Sequence, residues 1–524
     1  MNRNLQLQTL LNKPHAVWDV LVIGGGATGL GTAVDAATRG FKTLLVEQAD
    51  FAKGTSSRST KLVHGGVRYL AQGDVSLVFE ALHERGLLMQ NAPHLVRNQA
   101  FIIPAYEWWE GPFYNIGMKV YDLMAGKLGL GPSQKISQEE TRQAIPNLNQ
   151  DGLLGGVIYY DGQFDDARLA VNLAQTATDN GATVLNYLKV TALHKDERGI
   201  LNGASLQDME SGQTFTVRAR VIINATGVFS DRIKRLDNPQ TPPSVVPSQG
   251  VHLVLDHSFL QSDSAIMIPH TSDGRVLFAV PWHRHVIVGT TDTPVNNVTL
   301  EPRAKSEEIE FLLSTSARYL KKDPTPQDVL SVFAGLRPLA APSGGGEQTK
   351  DISRRHQITV SLSGLVTITG GKWTTYRKMA EETVDKAIIV GGLAENDCVT
   401  RHLPVHGYLK NTDFDAPLYY YGSDRTLIEE TILAQDKQLT EKLHPRLPYL
   451  KGEVVWAVRH EMARTVEDVL ARRTRALFLD ARASMQMAEE VARLMAQELG
   501  RSEEWIKQQV ADFRQLARGY LLTD

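Results

Sequence analysis

Residues 18–47 read WDVLVIGGGATGLGTAVDAATRGFKTLLVE. An apolar run from Val20 to Ile23 meets Gly24, Gly26 and Gly29 in the spacing G-x-G-x-x-G. A helical segment follows, and a second apolar run from Thr43 to Val46 ends at Glu47. Strand, glycine turn, helix and acidic strand end, in that order, form the β-α-β unit that holds a dinucleotide. Gly24 makes the tight turn, Gly26 lets the backbone approach a pyrophosphate, and Gly29 lets the helix pack closely on the sheet. Ala27 and Thr28 open the helix, whose free N–H groups and positive dipole end face the phosphates. Glu47 stands where a carboxylate accepts hydrogen bonds from ribose hydroxyls and repels a 2′-phosphate. The motif alone does not separate NAD from FAD.

Around this unit the first third of the chain alternates strand and helix signals, as doubly wound sheets do. A helix is expected over 74–92, with Asp74 as N-cap. Residues 101–132, rich in aromatics, glycine and proline, suit an insertion over a pocket better than a sheet layer. A helix over Asp166–Asp179 with Gly181 as its C-cap, then a strand from Thr183, returns the chain to the first sheet. Residues 204–218 alternate like a small hairpin, and 217–227 give a buried strand running into a turn. From about 240 to 340 short strands dominate, with one helix at about 306–321. Strand, glycine and helix return at 356–380.

The fold expected is α/β. A discontinuous cofactor domain is drawn from 17–85, 160–238 and 340–398, after an N-terminal extension, 1–16. A second domain with an antiparallel sheet comes from 86–159 and 239–339, and an all-helical domain from 400–524. In the last, Val455, Val458, Met462, Val466 and Val469 form an apolar stripe that predicts a helix over 453–475.

At 524 residues the chain exceeds a single ordinary core. A net charge of −3 provides no global basic field, so nucleic acid is not expected as a partner. One cysteine, Cys398, excludes an intramolecular disulfide and belongs to no metal-ligand cluster, so no metal is expected. No apolar run reaches the roughly 18–20 residues that span a bilayer, and the N-terminus has no secretory h-region, so any membrane contact is expected to be peripheral.

Three further stretches carry chemistry. TSSRSTKLVHGGVRYL, residues 55–70, places hydroxyls and backbone N–H groups directly after the ribose strand. Asn224-Ala225-Thr226-Gly227 ends a strand with small residues. Residues 369–377, TGGKWTTYR, set a glycine pair before a helix. Each is weak alone. In this order they match the several-point grip of an extended FAD, which NAD in a two-domain dehydrogenase does not need.

Here the sequence resembles the FAD-dependent, quinone-linked glycerol-3-phosphate dehydrogenases. The matching segments are GGGATGLG, GTSSRSTKLVHGGVRYL, EALHER, APHL, FDDARL, NATGVFSD, GTTDT, GLRPL and GGKWTTYRKMAE, spread from residue 24 to about 381. The resemblance implies a glutathione-reductase-like FAD domain with a Rossmann βαβ unit, an inserted α+β substrate domain and a helical cap. It also implies oxidation of sn-glycerol 3-phosphate to dihydroxyacetone phosphate, with electrons passed to a membrane quinone. For FAD it implies contacts at Gly24, Gly26, Ala27, Thr28, Gly29 and Glu47, and in the following loop at Thr55, Ser56, Ser57, Lys61, Leu62, His64, Gly65 and Gly66. Further contacts are implied at Val190, Ala225, Thr226 and Gly227, and at Gly371, Lys372, Trp373 and Thr374.

A phosphate dianion calls for fixed cations, preferably bidentate arginine. Arg337, Arg354, Lys372, and Arg68 with Tyr69 are the candidates that the resemblance places around the substrate. Removing the C2 hydroxyl proton needs a general base, or a cation beside the developing alkoxide. His64 and His252 are the base candidates, although His252 in VHLVL also reads as a core histidine. Arginine stays protonated, so Arg337 is assigned to alkoxide or phosphate stabilisation.

A quinone acceptor requires access to the bilayer. Residues 108–129, WWEGPFYNIGMKVYDLMAGKLG, mix aromatics with lysines as interfacial surfaces do, and they read equally as packing. The basic stretch 463–478 is read as docking on its own protein. Peripheral association with the inner face of the cell membrane is the expected location. Oligomeric state stays open, a homodimer included. Three rivals stand: an oxidase that gives electrons to oxygen, an amine or amino-acid oxidase, and a flavin-binding sensor without turnover.

Overall fold

The computed structural model describes residues 1–12, 15–67, 74–269, 271, 276–341 and 355–523. Helix α1 (Arg3–Leu11) leads into β1 (Val17–Ile23), α2 (Ala27–Thr38) and β2 (Thr43–Val46). Then come β3 (Leu62–Val63), α3 (Val75–Asn91), β4 (Val96–Ala105), α4 (Glu110–Ala125), β5 (Gln134–Ser137), β6 (Gly155–Phe164) and α5 (Asp166–Asp179). Strands β7 (Thr183–Leu185), β8 (Leu188–Lys195), β9 (Leu201–Asp208) and β10 (Thr214–Asn224) return the chain to the first sheet. Its order is β10-β1-β2-β7, parallel throughout. Strand β18 (Leu365–Thr369) flanks β10 in parallel, and β17 (Gln357–Val360) forms an antiparallel edge.

The continuous apolar runs are explained by burial on both faces. Val20, Val22, Leu45, Val221 and Ile223 face a core shared with α2, α5 and a helix over Tyr376–Gly391. Leu21, Ile23, Leu44, Val46 and Ile222 face a second core beneath the β8–β9 hairpin and Leu10 of α1. The N-terminal helix is thus docked, with Arg3 donating to Asn186 O (3.0 Å).

The second sheet runs β15-β11-β14-β13-β12-β4-β6-β3, with β16 beside β11 and β5 beside β6. Its later strands are β11 (Val245–Asp256), β12 (Ala265–Ile268), β13 (Leu277–Trp282), β14 (His285–Gly289), β15 (Thr293–Pro294) and β16 (Ser331–Ala340). Pairing is antiparallel except between β12 and β4. Residues 101–105, expected in an insertion, instead complete the ten-residue strand β4, and helix α4 lies over the sheet through Tyr114, Met118 and Tyr121.

The helix expected over 453–475 is broken. It runs over Lys451–His460 and ends where Met462 adopts a left-handed φ of 56°. Side chains take over the backbone groups there. Arg473 Nη2 donates to Glu461 O (2.7 Å), and Arg464 N and Thr465 N donate to Asp468 Oδ2 (2.7 and 3.0 Å). The apolar stripe packs on one core all the same, with Val455, Met462, Val466 and Val469 buried and Val458 partly so. Arg472, Arg473 and Arg475, part of the basic stretch, are buried against Asp50 and Asp165, so that stretch docks on its own protein. Gly181 lies one residue past the cap of α5, at φ +89°. Among the described residues no helix is long and apolar enough to cross a membrane.

Candidate active site

A cavity of about 670 Å³ runs between the two sheets. One wall is Ile23–Thr28 without Gly25, the turn that leaves β1. Gly24 has φ +117°, and a Cβ there would stand 2.6 Å from Ala225 O, so the two strand ends meet at a distance only glycine permits. Gly29 does not line the cavity; a Cβ on it would meet Gly24 O, which gives it the packing role expected. Ala225, Thr226 and Gly227 form the next wall, and Gly370, Gly371, Lys372, Trp373 and Thr374 the third. Val190 closes the side beside Glu47.

Glu47 Oε2 accepts from Gly25 N (2.7 Å) and Oε1 from Ala49 N (2.8 Å). Burial pushes its pKa up and these two amides pull it down. The carboxylate therefore shapes the turn as well as facing the cavity, and its remaining lone pairs are what ribose hydroxyls would use.

The loop after β2 is tied across the cavity. Ser56 Oγ accepts from Ala27 N (2.9 Å), Trp373 Nε1 donates to Ser56 O (2.9 Å), and Thr55 Oγ1 donates to Leu336 O (2.5 Å). These bonds bring the glycine turn, the loop and the GGKWTT segment into one frame. Thr55, Ser56 and Leu62 line the cavity with them.

Besides Gly29, three residues expected at the cofactor do other work. Lys61 is fully buried, with Nζ on both Asp166 oxygens (2.8 Å each) and on Ser57 O (2.6 Å), beneath the rings of Trp282, Phe333 and Phe478. A lysine so placed fastens the loop to α5 and points away from the cavity. Ser57 is buried and outside the cavity lining. Gly65 donates its N–H to Tyr121 Oη (2.7 Å) and also lies outside that lining.

His64, His252, Arg337 and Lys372 all line the cavity, although they come from four distant segments. His64 and Arg337 also line an adjoining chamber of about 170 Å³ with Asp161, Phe101, Tyr159, Met267 and Phe278, and Gly66, expected at the cofactor, lines that chamber and not the main cavity. Arg337 Nη2 donates to Thr290 Oγ1 and Thr291 O (3.0 Å each), and Nη1 stands 3.5 Å from Asp292 Oδ1. His252 Nε2 and Thr60 Oγ1 are 2.9 Å apart, and the ring stacks on Phe333 at 4.9 Å. Burial, then the charges of Arg337 and Lys61, hold the His252 pKa well below its ordinary value, so the ring is neutral. Arg68, Tyr69 and Arg354 lie outside the described residues. Among the described residues no cluster of ligating side chains is arranged for a metal ion.

Sequence reasoning missed the glycines that make room for these side chains. A Cβ at Gly250 would stand 2.3 Å from Arg337 Nη2, one at Gly289 2.3 Å from His252 Cδ2, and one at Gly335 2.9 Å from the Cβ of Arg58. Each sits within or at the end of a strand, where glycine signals close approach of another group. Arg58, which also lines the cavity and pairs with Glu301 (2.5 Å), was hidden within its loop motif.

Comparison with known proteins agrees with this architecture. The model of the FAD dependent oxidoreductase family matches residues 19–377, and that of the C-terminal domain of alpha-glycerophosphate oxidase matches 365–506. The chain is 43% identical to a probable mitochondrial glycerol-3-phosphate dehydrogenase of Caenorhabditis elegans, over 92% of this chain and 71% of that protein. It is 40% identical to the mitochondrial glycerol-3-phosphate dehydrogenase of Homo sapiens, over 95% and 72%. The structure of the glycerol-3-phosphate dehydrogenase from Bacillus halodurans complexed with FAD superposes with a TM-score of 0.81 at 29% identity, covering 99% of this chain and 98% of that one. The L-alpha-glycerophosphate oxidase of Mycoplasma pneumoniae shares the fold, with a TM-score of 0.56 at 18% identity, over 74% of this chain and 98% of that one. The glycine-walled cavity, the inserted sheet and the helical cap are those of a flavoprotein, and the chain belongs to the FAD-dependent glycerol-3-phosphate dehydrogenase family.

Proposed function

We propose that this protein oxidises sn-glycerol 3-phosphate to dihydroxyacetone phosphate and passes the electrons to a membrane quinone. The observation that carries the reading is the convergence of Arg337, Lys372, His64 and His252 on the cavity whose other walls are glycine turns built for a dinucleotide. FAD, when bound, supplies a two-electron acceptor for the C2 carbon. Gly24, Gly26, Glu47, Ser56, Thr226 and Gly371 are the residues to hold it.

The chain's own groups divide the remaining work. Arg337 and Lys372 offer fixed cations to the phosphate or to a developing alkoxide. His64 is the better base. His252 is sealed beside Arg337, and its charged form is disfavoured by burial and by that cation, so taking a proton there is costly. His252 then serves as a neutral wall that orients Thr60. As expected outcomes, His64→Ala or Arg337→Ala lowers turnover by roughly 10²–10⁴ while FAD stays bound.

Electron exit is assigned to the bilayer side through α4. Phe113, Ile116 and Leu123 are 60%, 67% and 82% exposed, on the side of α4 opposite its buried Tyr114, Met118 and Tyr121, and Trp108, two residues before the helix, is 81% exposed. Lys119, Lys127 and Lys135 are exposed nearby. An apolar face rimmed by lysines suits an anionic leaflet, and the inner face of the cell membrane is the proposed location.

The test is spectroscopic. Glycerol 3-phosphate added without oxygen to the yellow protein should bleach the flavin, and a soluble quinone should restore it. Failure to bleach overturns the substrate assignment. Restoration only by oxygen, with peroxide formed as fast as substrate is lost, makes the protein an oxidase. Binding to anionic vesicles that survives Phe113→Ser with Leu123→Ser removes α4 from the membrane contact.

A further inference from the structure

The inner side of α4 does something that packing alone does not require. Tyr121, fully buried, accepts the N–H of Gly65 (2.7 Å) and donates to Asp161 Oδ2 (2.6 Å). Asp161 Oδ1 accepts from Arg85 Nη1 (2.8 Å), and Arg85 Nη2 donates to Leu128 O (3.1 Å) just past α4. The chain from α4 to Gly65 is made of hydrogen bonds between buried groups, two of them charged. Such bonds are strong where dielectric is low, and costly to leave half made.

Gly65 is built for this contact. A Cβ there would stand 2.5 Å from Tyr121 Oη and 2.5 Å from Leu82 Cδ2, so no other residue lets the backbone come this close. The neighbouring residue is His64. Its own N–H donates to Thr374 Oγ1 (3.3 Å), and its side chain lines both the cavity and the adjoining chamber. The two amides that flank the His64 α-carbon, its own and that of Gly65, are therefore both pinned, one to the cofactor-side segment and one to Tyr121. Burial, then Asp161, raises the Tyr121 pKa well above its ordinary value, so the hydroxyl keeps its proton for Asp161 and its lone pair for Gly65.

We propose that Tyr121 is a positioning residue for His64: through the Gly65 amide, backed by Asp161 and Arg85, it fixes where the imidazole stands between the cofactor cavity and the chamber. The inference rests on the reading above that His64 handles the substrate proton. It makes α4, whose outer face is assigned to the bilayer, also the support of the acid–base group.

The test is a double-mutant cycle on the holoenzyme: wild type, Tyr121→Phe, His64→Ala and the pair. It is read as the anaerobic rate constant for flavin bleaching by glycerol 3-phosphate. Tyr121→Phe keeps the ring and its packing. It is expected to lower the rate about tenfold or more, since a displacement of a reacting group by a fraction of an ångström to 1 Å is worth up to 10²-fold. It is also expected to move the limb of the pH–rate profile that reports the base. In the His64→Ala background the same change should add less than about twofold, because groups acting as one unit are not additive.

If Tyr121→Phe costs its full factor in both backgrounds, or leaves rate and pH profile at wild type, the inference is overturned. If His64→Ala bleaches at the wild-type rate, the acid–base reading itself fails, and the inference with it. Should Tyr121→Phe not yield folded holoenzyme, Asp161→Asn keeps the shape and an acceptor oxygen while weakening the hold on Tyr121. It is expected to slow bleaching in the same non-additive way, and a wild-type rate there overturns the proposal.

Discussion

Gly250→Ala separates the chemistry of the site from the stability of the fold. Gly250 pairs with Gly335 across β11 and β16, two residues along from the Ser248–Arg337 pair. Its φ lies outside the left-handed region, so alanine is tolerated by the backbone. The added carbon would stand 2.3 Å from Arg337 Nη2, 2.7 Å from Cζ and 2.7 Å from Thr290 Oγ1. An ordinary contact needs about 3.4 Å, so the guanidinium must retreat by about 1 Å, and its bonds to Thr290 and Thr291 are lost or bent. A long side chain gives way more cheaply than a strand, and alanine gains about 0.5–1 kcal/mol over glycine within a strand. The fold should therefore hold. A cation displaced by about 1 Å costs on the order of 10² in rate. The expected result is bound FAD, a melting temperature within a few degrees of wild type, and kcat/KM for glycerol 3-phosphate lowered about 10²-fold. Addition of Arg337→Ala should lower it little further. A folded Gly250→Ala protein with wild-type kcat/KM would refute the placement of Arg337 at the reacting centre.

Three further perturbations test other parts of the frame. Gly24→Ala forces a side chain into φ +117° and against Ala225 O, and should yield protein with little bound FAD, read from the ratio of flavin to protein absorbance. Full flavin content would contradict the turn's role. Asp166→Asn strips Lys61 of its buried counter-ion and should destabilise by about 3–5 kcal/mol in thermal melts, and an unchanged melting temperature would contradict the pair. His406 is held between Asp179 (2.6 Å) and Asp424 (2.9 Å); burial opposes its charge, but the two carboxylates push its pKa from the ordinary 6.5 up to about 9. A raised folded-state pKa gives stability that is full below pH 6.5 and lost as pH climbs through about 9. The melting difference between wild type and His406→Gln should shrink over that interval, and a constant difference would remove the clamp.

The cofactor frame was legible because its residues answer to local rules. A strand, three spaced glycines and an acidic strand end constrain one another within thirty residues, and the glycine pair at 370–371 does the same beside its helix. His64, His252, Arg337 and Lys372 could be named by type, through the need for a base and for fixed cations, and by resemblance, and the fold brings these four to one cavity. What could not be read was partnership across long sequence separations. Lys61 looks like any loop cation until Asp166 is folded onto it. Met462 looks helical until Arg473 takes the Glu461 carbonyl. Gly250 looks like a weak spot in a strand until Arg337 fills the space it leaves.

The same distinction explains how the helical cap is fastened. Asp50 follows the ribose strand by a few residues, and both Arg472 and Arg473 of the cap converge on it, at 2.5 and 2.6 Å. Lys53, three residues on, is paired with Glu467 of the same cap segment. Arg475 pairs with Asp165 at the start of α5 (2.8 Å), and Arg168 of α5 with Glu461 (3.0 Å). Apolar side chains of equal volume would have supplied as much stability, because buried ion pairs roughly balance their desolvation. They would not have fixed an orientation. A bidentate arginine on a buried carboxylate accepts one arrangement, and a slip of one residue leaves charges unpaired. The loop held this way runs on into Thr55 and Ser56, which line the cofactor cavity. Fastening by charge therefore serves the precision of that loop more than the stability of the cap. A cap docked by apolar contact alone would be expected to fold and melt normally while losing its hold on FAD.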